Sequence, residues 1–304
     1  MRALKKLGSA AGAIGVVIAV SFTAIQAAEG VKLRVAGAAY RDIDGVPIVR
    51  PEGIACRGGG FVVLADTGGG RFLEFQFDAG SGVTARRAFT VTQVAAPIRV
   101  AFNSKNELYV LDGKTRRIAR LDADGAFQNY VEFPGSNASA VRSIDVGKQD
   151  ELYVLDVAAA RVVVLDRDGK LQRELAFPAE AKFFSDLAVN SKGDLFLIDS
   201  VGRRVFAAKA GAVAITALSE SLQEDVDFPV SIAADDAGKL YLVDQNGGGV
   251  VSVGQDGTFR GRQSSMGWRE GFLRYPTDLC VDDKGNLFVA DRENKRIQAF
   301  FIAQ

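Results

Sequence analysis

The sequence predicts an all-β fold, a six-bladed β-propeller of four-stranded blades closed by an N-terminal strand. Three observations predict it. An apolar stretch ending in aspartate recurs six times, two further columns keep fixed offsets from that aspartate, and turn residues divide each unit into four short strands.

The stretches are FVVLAD ending at Asp66, LYVLD at Asp112 and again at Asp156, LFLID at Asp199, LYLVD at Asp244 and LFVAD at Asp291. Their intervals are 46, 44, 43, 45 and 47 residues. Fifteen residues earlier stand Pro51, Pro97, Val141, Phe184, Pro229 and Pro276. Five residues later stand Arg71, Arg117, Arg161, Arg204, Gly249 and Arg296. Fixed offsets joined by variable linkers mean one supersecondary unit used repeatedly. In the last unit PTDLCV, LFVAD and RIQAFF alternate in the strand manner, with DDKGN as a hairpin turn between the first two. Units of this length with four strands build propeller blades. Their spans are near 46–89, 90–135, 136–178, 179–221, 222–268 and 269–304. Because the last unit stops after its third strand, residues 31–38 are expected to supply its fourth, since an open ring would leave two unpaired edges.

The pattern P-x-x-[ILV]-x-V…G-x-L-[FY]-V-x-D-x-x-x-x-R-I, fullest in GFLRYPTDLCVDDKGNLFVADRENKRIQAF, closely resembles the NHL repeat family over about residues 46–304. The resemblance implies six-bladed propellers used mostly for binding, with a minority of lyases and lactonase-like relatives. It speaks to fold far more than to function.

Composition removes several chemistries. Lysine plus arginine equals aspartate plus glutamate at 37 each, without the basic surplus of a general nucleic-acid binder. There is no histidine, so no histidine base, Ser-His-Asp triad or His-ligated metal can exist. MRALKK followed by SAAGAIGVVIAV has the form of a secretory signal over 1–27, with Ile25 and Ala27 at the −3 and −1 positions. A retained anchor is its rival. The expected product is a periplasmic or secreted protein, slightly acidic, monomeric, without cofactor or metal, and off the membrane once the signal is cleaved.

Two glycine triplets, 58–60 and 68–70, flank the first aspartate strand and superficially suggest a phosphate loop. No helix pattern follows, and the register puts them in turns, so they are backbone devices. DADG, DRDG and GQDG (122–125, 166–169, 254–257) mimic the start of a calcium loop but lack its later oxygens, and read as hairpin turns. The aspartate and arginine columns read as structural clasps across one loop: Asp66–Arg71, Asp112–Arg117, Asp156–Arg161, Asp199–Arg204 and Asp291–Arg296. The fifth blade breaks the pair, because Gly249 replaces the arginine.

Binding is expected on the face formed by loops leading into the first strands and loops joining the second and third. There Glu52, Arg99, Arg142, Asp186 and Asp278 form a mixed-sign ring that would orient a polar ligand or a protein loop, or else compensate one another in water. Trp268 and Tyr275, beside Arg269 and Arg274, have the composition of an interface hot spot, whereas Phe272 matches a family core position. The first reading is a non-catalytic scaffold for an envelope or extracellular protein or polymer. The alternative is a propeller enzyme of lactonase or lyase type, with a metal or polar substrate at the channel. Against a lactonase-like calcium site, Glu52, Asp186 and Asp278 match only in part, and Arg99 and Arg142 would repel the cation. Cys56 and Cys280 lie on first strands of the first and last blades with opposite parity, so their sulfurs can meet across the closure. The alternative is two small buried thiols.

Overall fold

The computed structural model describes residues 31–136 and 139–303; the secretory signal expected over 1–27 lies outside them. Six separate four-stranded antiparallel sheets follow one another along the chain, each with its strands in sequence order except the last. That last sheet pairs Lys32–Ala39 with Arg296–Ala303, Lys32 opposite Ala303 and Ala39 opposite Ile297, so the N-terminal segment closes the ring. The closing strand starts one residue later than the sequence suggested, and a bulge between Val35 and Gly37 bends it.

The second strands are the driest elements. Leu108–Asp112, Leu152–Asp156, Leu195–Asp199 and Leu240–Asp244 are buried at every position, as strands covered on both faces must be. Their alternate faces feed different clusters. Leu155 and Leu197 meet between blades three and four, Ile198 and Leu242 between four and five, Leu64 and Ala290 across the closure. Six such clusters occupy the six seams, so the hydrophobic core is divided among the blade interfaces.

The aspartate column holds this arrangement in a way the clasp reading did not foresee. All six side chains are buried. Each accepts hydrogen bonds from backbone N–H groups of the loop leading into its own blade. Val49 and Arg50 donate to Asp66, Ala95 to Asp112, Ala140 to Asp156, Lys182 and Phe183 to Asp199, Asp227 and Phe228 to Asp244, and Arg274 to Asp291. Several also take an amide from the loop that follows, such as Lys114 on Asp112 and Gly202 on Asp199. In the second to fifth blades the carboxylate thereby ties two loops of the same face to one strand end.

The arginines are secondary. Ion pairs form at Asp66–Arg71 (3.0 Å), Asp156–Arg161 (3.5 Å) and Asp291–Arg296 (2.7 Å). The clasps expected at Asp112–Arg117 and Asp199–Arg204 are absent. Arg117 turns outward to Glu132 and lies over the Tyr130 ring, and Arg204 donates to the Ser219 carbonyl. Backbone amides already satisfy both carboxylates, so no cation is needed. In the fifth blade Arg262, from the fourth strand, pairs with Asp244 at 2.6 Å. The glycine column leaves the space: a Cβ at Gly249 would lie 2.9 Å from the Arg262 guanidinium.

The turn readings are matched by local geometry. Gly58–Gly60 form the tight turn between the first two strands, and Gly59 and Gly60 take φ of 80° and 79°. Asp122 and Asp166 each accept two backbone amides of their own hairpins, through Asp124 and Ala126 and through Asp168 and Lys170.

Cys56 and Cys280 form a disulfide between the first strands of blades one and six, with Cα atoms 5.8 Å apart. Its loop of 224 residues gives a stabilisation on the order of 5 kcal/mol in the chain-entropy account. Titration of the denatured, unreduced protein should find no free thiol; two would refute the bond. The tether reading gives a second expectation, measured by denaturant unfolding. Asp199→Ala strands several buried amides and should cost about 3 kcal/mol or more, whereas Arg204→Ala should cost about 1 kcal/mol or less. Equal losses would restore the clasp.

Candidate functional site: the channel and its mouth

At the head of every first strand the ladder slips by one residue. The shift lies between Pro51 and Gly53, Pro97 and Arg99, Val141 and Ser143, Phe184 and Asp186, Pro229 and Ser231, and Pro276 and Asp278. A bulge re-aims side chains, and it separates two residues that the sequence reading had merged into one ring. Glu52, Ile98, Arg142, Val230 and Thr277, the extra residues, line a cavity at the channel mouth of about 460 Å³. The residues one position later turn toward the axis.

That inner set is Gly53, Arg99, Ser143, Asp186, Ser231 and Asp278. Asp186 and Asp278 are buried below the mouth and line a channel cavity of about 240 Å³, so neither meets a partner at the rim. This corrects the expectation of a surface ring. Each acid instead bridges its two neighbouring blades. Ser143 Oγ donates to Asp186, whose other oxygen accepts the Ile232 N–H at 3.0 Å. Ser231 Oγ donates to Asp278 at 2.7 Å, and Asp278 accepts the Ile54 N–H at 2.9 Å. Arg99 occupies the equivalent place in blade two, with Nε 3.6 Å from Asp186 and Nη1 4.0 Å from Asp278. Beside it Gly53 stands where the other odd blades carry serine, because a Cβ there would lie 2.8 Å from the Ile98 carbonyl oxygen.

A third acid, Asp145, faces the same channel. It accepts the Val189 and Val146 N–H groups at 2.8 Å each. Sequence reasoning missed it, since its column holds no recurrent acid. Burial pushes Asp145 up to about 7, against its two amide donors, with the Asp186 and Asp278 charges adding to the rise. Burial likewise pushes Asp278 up to about 6, restrained by Arg99 and raised further by Asp186. Burial opposes the Arg99 charge, but Asp278, Asp186 and Glu52 outweigh it and hold the guanidinium above its ordinary value.

At the mouth, Glu52 lies between Arg50 (3.3 Å) and Arg292 (3.6 Å). Arg142 is half-buried, with its guanidinium 5.7 Å from the Phe183 ring centroid. The lactonase-like calcium arrangement does not fit these residues. Glu52 is separated from the two aspartates by the depth of the bulge, and Arg99 is the cation beside both of them. Among the described residues no group of three or more acids, cysteines or histidines is placed to hold a metal ion.

On the outer part of the same face, Trp268 is 77% exposed. The loop carrying it is fixed from below. Arg296, fully buried and paired with Asp291, donates to the Arg269 and Phe272 carbonyls at 3.0 and 2.8 Å. Gln298 donates to the Phe272 carbonyl and accepts the Gly271 N–H. Phe272, expected in the core, is 42% exposed, because its backbone rather than its ring is the anchor. Tyr275 is also exposed and holds φ of 47°, and Tyr40 reaches Glu270 from the loop before blade one.

The NHL repeat family model matches residues 273–300. NHL repeat-containing protein 3 of Mus musculus is 34% identical over 77 residues, which is 24% of this chain and 22% of that protein. Its Homo sapiens counterpart is 32% identical over the same share, so the match spans about a fifth of these relatives' length. Among solved structures, a gluconolactonase of Xanthomonas campestris aligns with a TM-score of 0.65 at 18% identity, covering 92% of this chain and 93% of that one. Virginiamycin B lyase of Staphylococcus aureus gives 0.62 at 15% identity, covering 90% and 100%. A chain of a nidogen/laminin complex gives 0.58 at 14% identity, covering 72% and 81%. At these identities the likeness is one of fold.

The raised carboxyls set a pH dependence. A carboxyl with a higher pKa folded than unfolded keeps more protons in the native state, so stability is fully present below the unfolded value and is lost as pH rises through the folded one. For Asp145 and Asp278 that window runs from about pH 4 to about pH 7. Thermal unfolding should show this contribution falling between pH 5 and pH 8. Asp145→Asn should flatten the slope, with its most favourable effect relative to wild type near pH 8. A mutant offset independent of pH would contradict the assignment.

Proposed function

We propose that this protein, whose residues 273–300 match the NHL repeat, is a non-catalytic scaffold. It holds a protein or polymer partner outside the cytoplasm, on the face that carries the loops leading into the blades. The observation that supports this reading is Trp268, a large apolar ring left in water on a loop anchored by buried Arg296 and Gln298. Holding that ring exposed keeps apolar area in contact with water, and the buried anchors prevent the loop from folding it away. A rigid exposed aromatic also loses little conformational freedom on binding, which is why such residues dominate interfaces. Tyr275 and Tyr40 flank the same loop, and Ile43 and Val46 extend the exposed apolar surface along the loop before blade one. The export part of the proposal rests on the signal-like residues 1–27.

The test is affinity capture from a cell-envelope extract, followed by a titration with the captured partner. Trp268→Ala should weaken association by about 30-fold, the scale of a hot spot worth 2 kcal/mol. Its melting temperature should stay within about 2 °C of wild type, since an exposed side chain contributes little to stability. Equal binding by the mutant would remove Trp268 from the interface, and parallel losses of binding and stability would make it a packing residue.

A further inference from the structure

We propose that the mouth of the channel is a binding site for a small anion carrying two or more carboxylate or phosphate groups. This goes beyond the scaffold reading and does not rest on it, because it uses other residues and another class of ligand. The mouth cavity is lined by Arg50, Lys114, Arg116, Arg142 and Arg292, with Arg99 at its floor, and Glu52 is the only carboxylate among the lining residues. Glu52 is already shared between Arg50 and Arg292, so it leaves Arg142, Arg116 and Lys114 without a carboxylate contact among the described residues. The whole chain balances its charges, which makes this local excess a property of the site rather than of the composition.

The electrostatics of the rim point the same way. Arg142 is half-buried beside cations: burial first, then Arg99 and Arg116, lower its guanidinium below the ordinary value. An anion seated among these three would relieve that repulsion. Arginine forks favour planar or tetrahedral oxyanions, which they bind through paired hydrogen bonds.

The depth of the site is set as well. Below Arg99 the channel presents Asp186, Asp278 and Asp145, so an anion that entered further would meet carboxylates. The ligand is therefore held at the Arg99 level and above. A volume of about 460 Å³ suits a small molecule rather than a folded partner. Several cations spread around one rim favour a ligand with more than one anionic group over a single halide or acetate.

The experiment is isothermal titration of the full folded protein with citrate and, separately, with pyrophosphate, in low-salt buffer, with acetate as the monovalent comparison. We expect saturable one-to-one binding of at least one of the two polyanions, and acetate weaker by about tenfold or more. The citrate and pyrophosphate arms distinguish carboxylate from phosphate chemistry. Arg142→Ala should weaken binding by about tenfold or more, and Glu52→Gln should strengthen it, because it removes the competing carboxylate. If Arg142→Ala fails to fold, the exposed pair Lys114→Ala with Arg116→Ala serves in its place and should also weaken binding. Trp268→Ala should bind both anions as wild type does, which separates this site from the scaffold surface. Absence of saturable binding by both polyanions, or binding that is unchanged in the folded mouth variants, overturns the proposal.

Discussion

A carboxylate taken out of water must be given hydrogen bonds in return, and this propeller meets that demand at two radii. Toward the rim, the six aspartates that end the second strands gather backbone amides from the loop leading into each blade, four of them from the following loop as well, and fix the face on which function is expected. Along the axis, Asp186 and Asp278 take a serine from one neighbouring blade and an amide from the other, and so fix blades to each other. Both arrangements use charged acceptors on neutral amides, which are stronger than neutral pairs and costly to leave unmade. The mouth loops, the Trp268 loop and the inner ring all depend on these anchors.

The inner ring also shows an alternation that sets the polarity of the channel. Blades two, four and six supply Arg99, Asp186 and Asp278, while blades one, three and five supply Gly53, Ser143 and Ser231. Three aspartates at the even positions would face one another across a narrow, poorly hydrated space and raise each other's pKa values. Arginine in one of the three places relieves that repulsion and puts a cation between the acids below and the mouth above. The channel thus changes sign along its length, basic at the mouth and acidic beneath it.

The sequence carried the periodic part of this design and hid the part made by backbone. The six aspartates, the strand order, the closing segment and the parity of Cys56 and Cys280 were all legible, because each follows from spacing and alternation. The partners of the aspartates were not, since every residue except proline has an N–H and an amide donor leaves no mark in residue type. The arginine column drew attention precedence it did not merit: Arg117 and Arg204 occupy the expected positions but face Glu132 and Ser219. Arg262 was invisible for a different reason, as fourth strands vary in length and keep no fixed offset. The bulge after each Pro-column residue adds one position to the first strand, and it turned a supposed single ring into a mouth and an inner set. Asp145 lies in a column with no other acid, so nothing periodic announced it.

The closing strand has a consequence for how the molecule is made. Lys32–Ala39 pairs with Arg296–Ala303, and Cys56 with Cys280, so the earliest segments of the fold to leave a ribosome wait for nearly the last. At synthesis rates of roughly 5–20 residues per second, that wait is on the order of tens of seconds. During it the growing arc carries an unpaired N-terminal strand, one unpaired thiol and a seam of apolar side chains with no opposite face. The finished ring hides all of them at once. Its vulnerable period therefore belongs to biosynthesis, and a chain halted before Cys280 would remain an open arc whose unpaired N-terminal strand and bare blade faces could join another of its kind.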